Sequence, residues 1–94
     1  MKAIWKGHVL AESDKTINIE GNEYFPQEAV KSEYLHKNDF HTICPWKGVA
    51  AYYDIKVNGD TNENAAWYYP DAKPAAKEIT NYVAFWRGVE VKEN

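Results

Sequence analysis

The sequence predicts a small, mainly antiparallel β domain with short helical turns. Three observations carry that prediction. Apolar and polar residues alternate with a period of two in several short runs, Gly, Pro, Asn and Asp separate those runs, and no stretch holds a long helical period. Residues 3–12 form the first extended run and 15–20 the second, with Ser13-Asp14 between them. In the second run Ile17 and Ile19 share one face while Thr16, Asn18 and Glu20 share the other, the pattern of a half-buried strand. Gly21-Asn22 offers a turn in which positive φ costs little, and Glu23-Tyr24-Phe25 returns as a strand that Pro26 ends.

Residues 27–40 are polar and broken, with Val30 and Tyr34 at helical spacing, so one or two helical turns are expected there. Residues 42–45 make a brief extended piece. The strongest strand is 48–57, with Val49, Ala51, Tyr53, Ile55 and Val57 on one face and Ala50, Tyr52, Asp54 and Lys56 on the other. Asn58-Gly59-Asp60 signals a turn, extended by Thr61-Asn62-Glu63. Residues 64–69 follow as a strand, and Pro70 and Pro74 bracket a connection before a helical turn within 75–80. Residues 82–91 read as the last strand, in which Arg87 falls on the apolar face, so Arg87-Gly88 is either a bulge or an inward-facing arginine. Trp67, Tyr53, Ile55, Val57, Phe85 and Val83 are the expected core. Aromatics on both faces of 48–57 and 64–69 imply two layers rather than a flat sheet with a wet side.

Ninety-four residues make one domain, 1–94. A net charge of −3 and interspersed signs exclude a phosphate-backbone binder, so no nucleic acid is expected. No run approaches the roughly 20 apolar residues of a membrane span. A charge interrupts the first apolar residues before a signal-peptide core forms, and one cysteine allows no internal disulfide, so the default location is cytoplasmic. His36, Asp39 and His41 match no metal-ligand spacing, so no metal is expected. Nothing in the sequence identifies a cofactor or sets an oligomeric state.

The most unusual segment is Cys44-Pro45-Trp46-Lys47-Gly48. Proline presets a β-turn that makes neighbours of Cys44 and Lys47, and an ammonium beside a thiol favours the thiolate. Cys44 and Lys47 are therefore candidate catalytic residues, against the ordinary role of a lone cysteine as a small buried hydrophobe.

At this segment the chain resembles a known family, the domain of unknown function 427. The matching stretches are Trp5-Lys6-Gly7 with Leu10-Ala11-Glu12-Ser13, Glu20-Gly21-Asn22-Glu23-Tyr24-Phe25-Pro26, Thr42-Ile43-Cys44-Pro45-Trp46-Lys47-Gly48-Val49-Ala50-Ala51-Tyr52-Tyr53, Ala65-Ala66-Trp67-Tyr68-Tyr69-Pro70 and Tyr82-Val83-Ala84-Phe85. The resemblance implies a β-tent-like fold, two antiparallel sheets pinned at an angle, as in methionine-R-sulfoxide reductases and the thalidomide-binding domain of cereblon. Many β-tents hold zinc with paired Cys-x-x-Cys motifs; a single cysteine departs from that pattern and implies a fold without zinc. Some members of the family carry a nucleotidyltransferase label. Asp54, Asp60 and Asp71 stand apart here, and no Gly-rich phosphate cradle accompanies them.

The leading functional reading is a small-molecule-binding domain whose aromatic pocket lies near the Cys44–Gly48 turn, lined by Trp46, Tyr53, Trp67 and Tyr69 with Arg87 as a cationic contact. Such rings are usually core; clustering Tyr and Trp, whose polar tips need partners, favours a hollow. The alternatives are an enzyme using Cys44 with Lys47 or Arg87, and a protein-interaction module exposing Trp46 and Tyr52.

Overall fold

In a computed structural model describing residues 1–94, alternation becomes nine strands. They are β1 (Lys2–Trp5), β2 (His8–Glu12), β3 (Ile17–Ile19), β4 (Asn22–Tyr24), β5 (Leu35–Cys44), β6 (Gly48–Val57), β7 (Asp60–Tyr68), β8 (Val83–Phe85) and β9 (Glu90–Lys92). Short 3-10 turns occupy Gln27–Ala29, Ser32–Tyr34 and Pro74–Ile79, the last kinked at Ala76. The strands form three antiparallel sheets ordered β2-β1-β9, β3-β4 and β5-β6-β7-β8. No helix is long and apolar enough to cross a membrane.

The two faces of the four-stranded sheet do different work, and the cross-strand register shows why. Ala51, Tyr68 and Val83 form one row, and Tyr53, Ala66 and Phe85 the next. Both rows pack with Ala3, Leu10 and Ala11 of the β2-β1-β9 sheet in a buried cluster that includes Phe25, Ile55 and Val57. On the opposite face, Tyr52, Trp67 and Ala84 align, and a second cluster gathers Tyr24, Ala50, Tyr69, Ala76 and Ile79 under the β3-β4 hairpin. That hairpin is sewn to the sheet at Phe25, whose N–H and carbonyl both bond to Val83 at 2.8 and 2.9 Å.

Two bulges bend the sheet around Asp54. The β5-β6 register shifts between Lys37 and His41, and the β6-β7 register shifts between Tyr53 and Ile55, where Asn64 takes a φ of 56°. One oxygen of Asp54 accepts from the Asn64 N–H at 3.0 Å and from the Asn38 side-chain amide at 2.7 Å. The side chain thus gives the Asn64 N–H a partner where the ladder is broken, and ties the Asn38 side chain to the same point.

Several expectations are corrected. Residues 3–12 are a hairpin, because Lys6 and Gly7 take φ of 53° and 77°, the two left-handed residues of a type I′ turn. The next turn is Glu20-Gly21, with φ of 55° and 84°, and Asn22 already belongs to β4. Residues 35–41 are strand rather than irregular; β5 is an edge strand whose side chains are mostly exposed, so it shows no apolar alternation. Residues 82–91 are two strands in different sheets, separated where Arg87 and Gly88 turn left-handed at 54° and 84°. Tyr53, Ile55, Val57, Val83 and Phe85 are buried as expected, whereas Trp67 is half-buried.

Candidate functional site

A hollow of about 300 Å³ opens between the β3-β4 hairpin and the second face of the four-stranded sheet. Each wall follows from the register. Tyr52 and Trp67 are direct partners on β6 and β7, their ring centres 6.4 Å apart. Tyr69 leaves the end of β7 and Trp86 the end of β8, and Trp86 meets Trp67 edge-to-face at 5.9 Å. The hairpin contributes Asn22 and Tyr24. Tyr24 lies perpendicular to Trp67, and its hydroxyl accepts from the Trp67 indole N–H at 3.2 Å. The Tyr52 hydroxyl shares a hydrogen bond with Thr42 at 3.0 Å, and Phe40 supports its ring edge-on at 4.9 Å.

Lys47 closes the wall at the β5-β6 turn and is only 6% exposed. Its ammonium pairs with the Glu20 carboxylate and lies 5.2 Å from the Trp46 ring centre and 5.8 Å from that of Tyr69. The turn is held from outside: the Lys73 N–H donates to the Lys47 carbonyl at 2.9 Å, and the Lys73 ammonium to the Pro45 carbonyl at 2.6 Å. Gly48 permits this packing. Its φ is +118°, and a Cβ there would stand 3.3 Å from the Asp71 carbonyl oxygen.

Electrostatics follow from this packing. Burial pulls the Lys47 pKa down, but the Glu20 hydrogen bond and the nearby Tyr24 and Cys44 outweigh it and hold the group above its ordinary value. The hydrogen bond from Lys47, then its charge, holds Glu20 below the usual carboxylate range. Burial pushes Tyr24 up, and pushes Tyr69 well above the ordinary phenol value with help from Tyr24 and Cys44. Near neutral pH the hollow therefore presents one paired cation and the neutral phenols of Tyr24 and Tyr69.

Of the residues singled out from sequence, Lys47, Trp67 and Tyr69 line the hollow. Trp46 stands beside it, exposed, with its ring against the Lys47 ammonium. Tyr53 is on the opposite face, stacked at 4.8 Å on Tyr68 in the larger core, because adjacent strand residues point apart. Arg87 is exposed on its turn, 4.6 Å over the outer Trp86 ring, and does not point inward. Cys44 is half-buried, packs with the second cluster and lies outside the lining. The turn does bring Lys47 close to Cys44, yet the ammonium is engaged by Glu20. Tyr52, expected to be exposed in an interaction module, is buried.

Sequence reasoning missed Asn22, Tyr24, Tyr52 and Trp86 as lining. Tyr52 was accessible to it, since Tyr52 carries the opposite strand parity from Tyr53. Tyr24 was not, because only the bonding of Phe25 to Val83 brings the hairpin over Trp67. A model of the family described as domain of unknown function (DUF427) matches residues 1–93. No curated protein matches the chain.

Proposed function

We propose that this chain, which belongs to the DUF427 family, is a binding domain that takes a small planar ligand into its aromatic hollow. One observation carries the reading: five aromatic side chains from four segments line an open hollow of about 300 Å³ instead of filling it. That volume is at the lower end of the roughly 300–1,000 Å³ typical of small-molecule sites. Ring faces and edges suit a flat guest, which gains stacking without asking the protein to bury an unpaired polar group. Cys44 as a nucleophile has less support, since its sulfur stands outside the lining and its expected activating charge is engaged elsewhere.

A thermal-shift screen over aromatic and heterocyclic metabolites tests the proposal. A guest present at 100 times its Kd should stabilise the fold by about 2.7 kcal/mol. It should also change tryptophan fluorescence, because Trp67 and Trp86 form the wall. Trp86→Ala, which removes a partly exposed ring, should weaken the hit while leaving the fold intact. Stabilisation that persists unchanged in that variant would place binding elsewhere, and a screen without hits would end the proposal.

A further inference from the structure

The polar groups of the hollow are mostly donors. Lys47 brings an ammonium. Tyr24 accepts from Trp67 through its hydroxyl oxygen, which leaves its own proton free to donate. Tyr69 lines the same wall with its ring centre 5.8 Å from the Lys47 ammonium, and burial keeps its hydroxyl protonated. Asn22 adds an amide that both donates and accepts. The negative charge that answers these donors is Glu20, and it comes from outside the lining, from the tip of the β3-β4 hairpin.

The two halves of this ion pair are unequal. The Lys47 side chain is 8% exposed, whereas that of Glu20 is 55% exposed on a two-residue left-handed turn. A buried ammonium requires a counter-ion, since stranding it is strongly unfavourable. A surface carboxylate can return to water at little cost. Exchange of one carboxylate for another therefore keeps Lys47 paired throughout and moves only the exposed member.

Resting on the reading of the hollow as a ligand site, we propose that its ligand is a planar ring bearing a carboxylate, which displaces Glu20 from Lys47 and takes hydrogen bonds from Tyr24 and Tyr69. Glu20 is an internal stand-in for the ligand's acid group, and the hairpin tip competes with the ligand for one cation.

Matched acid and amide pairs test this: benzoate against benzamide, and indole-3-carboxylate against indole-3-carboxamide. Each is titrated at neutral pH into the parent, Glu20→Gln, Lys47→Met and Tyr69→Phe, with tryptophan fluorescence as the readout. The parent should prefer the acids. Glu20→Gln should tighten the acids about fivefold, roughly what a partly exposed ion pair is worth, and leave the amides unchanged. Lys47→Met should abolish the preference while amides still bind. Tyr69→Phe, which keeps its ring, provides the same test without touching the turn and should weaken acids more than amides. Amides that match the acids in both parent and Glu20→Gln overturn the acid assignment and leave the hollow as a ligand site. Failure of both members of both pairs to bind overturns the acid assignment together with the reading on which it rests.

Discussion

Phe25→Ala should cost about 3–5 kcal/mol, the range for deleting a fully buried large aromatic. Phe25 has no exposed surface, and its ring meets Phe85 edge-to-face at 5.7 Å inside the larger core. Alanine keeps the two backbone bonds to Val83 but leaves a ring-sized void where the hairpin joins the sheet. Against the 5–15 kcal/mol that holds a typical domain together, such a loss brings the fold close to its limit. Urea unfolding followed by tryptophan fluorescence measures it. An unchanged midpoint would show that the ring does not support the junction.

The second large effect is expected in alkali. Burial raises the pKa values of Tyr24, Tyr53 and Tyr69 above the ordinary 10.0, and Lys47, opposed by burial but supported by Glu20, is held above 10.5. In each case the folded state holds its proton more tightly than the unfolded chain. Stability is therefore fully present below the unfolded values and is lost as pH rises from about 10 through the folded ones. Phenolate absorbance and loss of native circular dichroism should rise together at high pH, because these phenols ionise freely only once the fold opens. Tyr69→Phe should extend the stable range upward. If all seven tyrosines titrate as ordinary phenols in a chain that stays folded, the buried placement of these three is wrong.

The strands with one apolar face were legible because burial writes itself as alternation: 48–57 emerges as β6 with the expected limits, and most of 64–69 lies in β7, which begins earlier, at Asp60, because the polar residues of the expected turn already pair with β6. β5 was not legible, since an edge strand wet on both faces has no reason to alternate. The division of 82–91 was concealed for a different reason. Strand residues continue on both sides of Arg87-Gly88, and only pairing partners reveal that β8 and β9 serve different sheets. At the site, the Cys44–Gly48 segment pointed, through Lys47, to the end of the molecule where the hollow opens. The division of aromatics between the two faces depended on register. Tyr53 and Trp67 each point inward, but into different interiors on opposite sides of one sheet.

The pairing of β1 with both β2 and β9 also bears on the order in which the molecule assembles. β5, β6 and β7 follow one another through turns of three and two residues, and β8 returns after fourteen, so their contacts close loops far shorter than the whole chain. The register of Lys2 with Lys92 instead requires almost the whole chain to return on itself, and the closure entropy grows with the logarithm of that length. Local hairpins can gain their contacts before that cost is met, which puts the seam between first and last strands late on the folding path. Shortening Val91 to alanine should then speed unfolding and leave the refolding rate nearly unchanged, the kinetic mark of a contact absent from the transition state.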